Sequence, residues 1–254
     1  MENKKVSQKE VKSKQFSQNK ANSKNKNREG TGIKEIDLMI QGGLPNGSIV
    51  GLSGPPGIGK SIFSLHFLLE GARKGQRCVY INLEEPRKNI NNMINEFDFA
   101  DEFFELEKKE LIIIRCFNYP EYEKVYRDLL QRIKSDKKIK RLVIDSFNCF
   151  FSSIDNPHAL ATSINIRKMI NDSFFQLRRT GLTTLLILEK SEDYGGNFDY
   201  NIPYLVDGII KLDFLDLGTI ERRIFIPKMR WTNQFKENKC YEIGKRGIEM
   251  IRED

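Results

Sequence analysis

Residues 48–61, SIVGLSGPPGIGKS, leave the chain few options. Ser48 to Ser53 is a short apolar run suited to a strand. Gly54 and Gly57 permit a tight loop, and Gly59-Lys60-Ser61 opens an amphipathic segment from Ile62 to Ala72. The order is strand, loop, helix. The spacing Gly54-x4-Gly59-Lys60-Ser61 is that of a Walker A motif, in the context the motif requires. Glycines let backbone N–H groups close around phosphate oxygens, and the helix N-terminus adds its positive dipole end. Lys60 can then reach the β- and γ-phosphates, and the Ser61 hydroxyl suits Mg²⁺. The expected nucleotide-contacting set is Gly54, Pro55, Pro56, Gly57, Ile58, Gly59, Lys60, Ser61 and Ile62. A chance glycine turn would leave Lys60 and Ser61 unexplained.

The rest of the chain alternates helical and strand-like patterns. Arg77 to Leu83 predicts a second strand, stopped by Glu84-Glu85-Pro86, and Pro86 can start a helix in which Ile90, Met93, Ile94 and Phe97 share a face. Leu111 to Cys116 is a third apolar strand, and Tyr122, Val125, Leu129 and Ile133 mark another helical face. Lys140 to Ser146 predicts a buried strand ending in an acid, Asp145. A long helix follows with Ile166, Ile170, Phe174 and Leu177 as its stripe, then a strand over Leu182 to Leu188. Apolar strands alternating with helices imply a mostly parallel sheet covered on both faces, an α/β fold. After a polar loop, Ser191 to Pro203, alternation around Ile210, Leu212 and Phe214 and a second run to Arg230 predict an antiparallel hairpin on the sheet edge, followed by a short pair near Tyr241 and Gly247. Ahead of the first strand, Thr31 is the expected N-cap of a short helix, with Glu35 close behind.

Composition limits the function classes. With 254 residues and 39% apolar content the chain can bury one substantial core. Its longest apolar runs are strand-sized, far from the ~18 residues of a membrane helix, so no membrane partner is expected. Cys78, Cys116, Cys149 and Cys240 are scattered and there are two histidines, which disfavours a zinc site or a disulfide scaffold and suits a reducing cytoplasm. The net charge of +7 is entirely in residues 1–28, which carry nine lysines and arginines against two glutamates; residues 29–254 hold 33 of each sign. We therefore divide the chain into a disordered basic tail, 1–28, and a globular part, 29–254. The tail could touch DNA or an acidic partner, or be a solvated extension.

Asp145 ends an apolar-apolar-apolar-Asp strand, the Walker B arrangement, where a carboxylate can help hold Mg²⁺. Hydrolysis also needs a group to orient or deprotonate water, and Glu84 and Glu85 lie at the end of the second strand, on the sheet edge that should carry the phosphate loop. Adjacent carboxylates point differently, so one of the two is expected to act. Glu189, ending a neighbouring strand, is next in line as a γ-phosphate sensor.

Taken together, Thr31-Gly32-Ile33 with Asp37, Gly42-Gly43-Leu44-Pro45 with Gly47, the phosphate loop, Glu84-Glu85, Asp145-Ser146, Asp207-Gly208-Ile209-Ile210 and Lys228-Met229-Arg230 resemble the KaiC-like branch of the RecA-superfamily ATPases, in a single-domain, archaeal-type form. The resemblance runs from about Thr31 to Ile251. It implies a RecA-like αβα sandwich, ATP with Mg²⁺ as cofactors, and assembly of identical subunits into rings, commonly hexamers. It also implies that Lys228 and Arg230 reach the γ-phosphate held by a neighbouring subunit, as an arginine finger does.

Departures from the pattern narrow the role. With one set of motifs, a two-tier clock protein is not expected, and Pro203-Tyr204 stand where the clock protein has its phosphorylated Ser-Thr pair, so an autokinase is not expected either. Trp231 replaces the family's usual small residue and Gln234 a frequent histidine. The leading expectation is a hydrolysing ring ATPase that couples turnover to signalling or a partner protein. The alternatives are a recombinase paralogue on DNA, disfavoured because the loop Phe147 to Ala159 has no basic residue and Lys190 to Tyr204 is acidic, and an ATP-binding scaffold with little hydrolysis.

Overall fold

The computed structural model describes residues 27–117, 131, 133, 135–149, 159–189, 202–216, 220–235 and 237–251, with the backbone alone over 159–167 and at 216 and 220. The expected basic tail up to residue 26, the helical face at Tyr122, Val125 and Leu129, and most of the two loops compared with DNA-binding loops lie outside the described residues.

The chain runs β1 (Arg28–Glu29), α1 (Lys34–Met39), β2 (Leu44–Pro45), β3 (Ile49–Gly54), α2 (Lys60–Arg73), β4 (Arg77–Asn82), α3 (Arg87–Asn95), α4 (Ala100–Lys108) and β5 (Ile112–Cys116). It continues through β6 (Ile139–Asp145), α5 (Ala159–Thr180), β7 (Thr183–Glu189), α6 (Ile202–Leu205), β8 (Gly208–Asp216), β9 (Ile220–Met229), β10 (Lys239–Gly244) and β11 (Gly247–Met250). Nine strands form one sheet in the order β11-β10-β9-β8-β3-β7-β6-β4-β5. The pairings from β8 to β5 are parallel, and those from β8 out to β11 are antiparallel. The fold is therefore the expected αβα sandwich with an antiparallel C-terminal extension.

The apolar runs are continuous because both sheet faces are covered. Val50, Leu52, Tyr80, Val143 and Leu185 pack with α2, α3 and α4 on one side. Their chain neighbours Ile49, Val79, Ile81, Leu142, Ile144 and Leu186 face Ile170, Phe174 and Leu177 of α5 on the other. Among the described residues, no helix is long and apolar enough to cross a membrane.

Four local expectations are corrected. The β8–β9 hairpin is not at the edge: β8 pairs with β3 and β10 pairs with β9, which leaves β11 outermost. Thr31 does not cap α1, whose N-cap is Ile33 without a side-chain bond; the Thr31 hydroxyl accepts from the Ile33 N–H, and its own N–H donates to Asp37. Helix α4 was not anticipated, because Phe103 alone of its residues is fully buried and its acidic composition hides the period. Arg28, assigned to the tail, belongs to β1, and its neighbour Glu29 pairs with Arg141 at 2.9 Å. Arg141 is wholly buried, donates to the Gly30 and Phe67 carbonyls and to Gln76, and lies over the Phe67 ring. Burying that guanidinium is tolerable because each of its three nitrogens finds an acceptor.

His66 on α2 joins the outer hairpin to this frame. Its Nε2 accepts the Ile248 N–H at 3.0 Å and its ring meets Phe99 edge-on. A side chain at Gly247, whose φ is +90°, would collide with that ring nitrogen. Shielding from water holds the His66 pKa down, to about 4. Because the folded value lies below that of the unfolded chain, His66 contributes stability that is complete above pH ~6.5 and is lost as the pH falls toward 4, up to about 3 kcal/mol. In urea titrations at pH 7 and pH 4.5, His66→Gln, which keeps an acceptor for Ile248, is expected to flatten this acid-side loss. An unchanged pH slope would show that the imidazole protonates freely in the folded chain.

Candidate active site

The parallel strands β3, β4, β6 and β7 deliver their C-terminal ends to one edge of the sheet: β3, β6 and β7 end in the expected Gly54, Asp145 and Glu189, and β4 ends in Asn82, two residues ahead of Glu84-Glu85. Register fixes the set, since Asn82 pairs with Asp145 and Gly54 with Glu189. Open α/β sheets bind ligands at this edge.

Between β3 and α2 the phosphate loop uses its glycines conformationally. Gly57 and Gly59 have φ of +72° and +107°, and a side chain on Gly54 would run into the Leu212 carbonyl. Gly59 is the N-cap of α2 without a side-chain bond, so the helix end is left for an anion. Lys60 folds back over the loop and donates to the Gly54 and Pro55 carbonyls at 2.9 and 3.0 Å. Desolvation lowers its pKa, against the pull of Glu189, Asp145 and Glu84. From the other side the Tyr241 hydroxyl donates to the Ile58 carbonyl at 2.7 Å, so the outer hairpin braces the loop.

Ser61 and Asp145, 84 positions apart, meet at 2.8 Å, the hydroxyl donating to Oδ2. The buried Tyr80 hydroxyl donates to the same oxygen at 2.6 Å. Burial raises the Asp145 pKa, opposed first by those two hydrogen bonds and assisted by the Glu84 charge. Glu189 is raised likewise, by desolvation and then by Glu84.

The two glutamates diverge as expected. Asn82 Oδ1 accepts the N–H groups of Glu84 and Glu85 at 3.1 and 2.6 Å, which fixes the turn after β4. From there Glu84 accepts from the Ser146 hydroxyl and, at 3.3 Å, from the Cys149 thiol. Glu85 instead takes the Asn89 amide of α3 at 2.5 Å. Ser61, Asn82, both glutamates, Asn89, Ile90, Met93 and Asp145 line one cleft of about 270 Å³. Tyr80, Asn82 and Asn89 are not singled out in the sequence, and Ser146 enters there only as part of the Asp145-Ser146 motif, with no role. Asn82 carried a usable signal, a strand-averse polar residue closing an apolar run, whereas Tyr80 reads as an ordinary strand aromatic.

Lys228 and Arg230 are not gathered into this cleft. Lys228, one residue before the end of β9, donates to the Pro203 and Val206 carbonyls at 2.7 and 2.8 Å. Arg230 lies just beyond the strand, bonding Asp207 at 3.2 Å and the Tyr204 carbonyl at 3.3 Å. The two cations thus stand side by side over the α6 segment. They are, however, more tied into their own chain than solvated charges would be. Asp207 is buried, accepts the Ile49 N–H, and also holds Arg178.

Comparison with known proteins agrees with this arrangement. Residues 30–254 match the family described as "ATPase: KaiC". A UPF0273 protein of Thermotoga maritima is 33% identical over 238 residues, covering 86% of this chain and 93% of its own. The circadian clock oscillator protein KaiC of Prochlorococcus marinus is 29% identical over 233 residues, 87% of this chain but 45% of the clock protein, so the chain spans under half of that relative's length. The crystal structure of a KaiC-like protein from Pyrococcus horikoshii superposes with a TM-score of 0.74 at 28% identity, covering 89% of this chain and 99% of the other. The chain belongs to the KaiC ATPase family.

Proposed function

We propose that the chain binds ATP with Mg²⁺ at Gly54 to Ile62 and Asp145 and hydrolyses it, within a ring of identical copies, six by family resemblance. Turnover is coupled to signalling or to a partner protein. The observation that carries this reading is the meeting of Ser61 with Asp145 at 2.8 Å beside Lys60, itself held on the loop carbonyls. An all-oxygen pair of hydroxyl and carboxylate suits a hard cation such as Mg²⁺, which takes few protein ligands and completes its shell with water and phosphate. When bound, ATP and Mg²⁺ supply the phosphoryl group and the charge that neutralises it.

The chain's own residues do the rest. Lys60 has three donors, two of them engaged by loop carbonyls, and keeps one for a phosphate oxygen. Tyr80 orients the Asp145 carboxylate. Glu84, the glutamate whose charge acts on Lys60, Asp145 and Glu189, is placed to orient or deprotonate water. Lys228 and Arg230 lie away from the cleft of their own chain, and a neighbouring copy's cleft, which gathers Glu84, Glu85 and Asp145, is their charge complement.

A fluorescent ATP analogue tests the binding step. Lys60→Ala is expected to weaken Mg²⁺-dependent binding at least ~10-fold, as loss of a charged hydrogen bond to phosphate does. Equal binding by wild type and Lys60→Ala would place the phosphates elsewhere.

A further inference from the structure

We propose that Arg28 is a positioning residue that clamps the turn directly after Lys228 and Arg230 and so holds the two cations in their working geometry. The proposal rests on the reading that these two cations complete a neighbouring subunit's site.

The turn after β9 is anchored at its start, where the Arg230 N–H donates to the Asp207 carbonyl at 2.8 Å, and is spanned by Gln234, whose amide donates to the Ile226 carbonyl at 3.0 Å, but neither bond reaches Trp231 or Thr232. Trp231 has a φ of 57°, a left-handed backbone that a bulky side chain adopts only when its surroundings impose it. Its side chain contributes little to that imposition, since the residue is 71% exposed. At Trp231 and Thr232 the constraint comes from the other end of the chain. One Arg28 guanidinium nitrogen donates to the Trp231 carbonyl at 3.0 Å and to the Thr232 hydroxyl at 3.1 Å. The other donates to that same hydroxyl and, at 2.9 Å each, to the carbonyls of Ile40 and Gly43. The Thr232 hydroxyl in turn donates to the Arg230 carbonyl at 3.1 Å. A single planar fork therefore joins the loop between α1 and β2 to the residues directly after Arg230.

That fork stands on a fixed base. Arg28 pairs with Pro45 in the small sheet, and the next residue, Glu29, is locked by the buried Arg141 and by Gln76. Two further bonds, Asn233 N–H to the Gln41 side chain and Phe235 N–H to the Met39 carbonyl, dock the following segment on that loop and on the end of α1. Neither reaches residues 230–232. Lysine cannot replace the fork, because a point-like ammonium cannot span these acceptors in one plane.

The test uses the full chain and its one tryptophan, Trp231. Arg28→Lys is expected to lower the nucleotide-free fluorescence anisotropy of Trp231 and to reduce kcat about tenfold with nucleotide affinity within about twofold, as remote misplacement of a catalytic group does. In a Lys228→Ala/Arg230→Ala background it should remove nothing more. Thr232→Val, which deletes one acceptor and leaves the base intact, should act in the same direction and less strongly. Wild-type anisotropy in both variants overturns the clamp. A loss that multiplies with that of the double variant makes Arg28 merely structural and overturns the positioning role. Full turnover in the Lys228→Ala/Arg230→Ala protein overturns the reading beneath it, and the anisotropy, measured without nucleotide, tells that failure from failure of the clamp.

Discussion

Glu84→Gln is expected to cut ATP turnover by about 10²–10³-fold while leaving nucleotide affinity within about twofold, and Glu85→Gln to stay within about threefold of wild type in both. The difference follows from where Asn82 aims the two side chains. Glu84 faces Asp145 and Ser146, whereas Glu85 is spent on Asn89 of α3. Glutamine keeps the shape and the bond from Ser146 but cannot take a proton. Steady-state hydrolysis together with analogue binding reads both quantities. Reversed sensitivities would assign the water-directing role to Glu85, and full turnover in both variants would move it to another group, Glu189 first.

Lys228→Ala/Arg230→Ala is expected to lower turnover by about 10³-fold, the lower end of what cations at a transferring phosphoryl group contribute, and to weaken ATP-dependent assembly measured by light scattering. Analogue binding should change little. Folding should not be untouched, because Arg230 bonds Asp207. The loss is held to about 1–2 kcal/mol, since Arg230 is partly exposed, Asp207 keeps Arg178 and the Ile49 N–H, and the Lys228 bonds to the Pro203 and Val206 carbonyls are only partly buried. A urea midpoint shifted much further would mean that the pair serves mainly to fold the chain.

What the sequence made legible is what is local. The phosphate loop is a contiguous motif, Asp145 closes a contiguous apolar strand, and strands buried on both faces announce a parallel sheet without reference to anything distant. What stayed hidden depends on pairings that only the folded chain creates. Arg141 falls inside the strand expected over Lys140 to Ser146, and nothing local shows that it lies against Glu29, 112 positions away. Arg28 looked like the end of a soluble tail, yet its partners include Thr232, 204 positions on. The hairpin was placed at the edge because alternation reports one polar face and says nothing about which strand comes next; β10 takes that place. Asp207 stood in a recognisable motif, but its role as a buried acceptor between Arg178 and Arg230 appears only where α5, α6 and β9 converge.

Complementation in mixed assemblies is the most direct measurement of a site completed between subunits. Glu84→Gln subunits keep Lys228 and Arg230, and Lys228→Ala/Arg230→Ala subunits keep Glu84. Each preparation is expected to be nearly inactive alone, and mixing them should restore a substantial part of wild-type turnover, because some junctions then hold one intact copy of each part. If differently tagged subunits are shown to co-assemble and turnover still stays at the level of the separate variants, Lys228 and Arg230 do not act on a neighbour's phosphate.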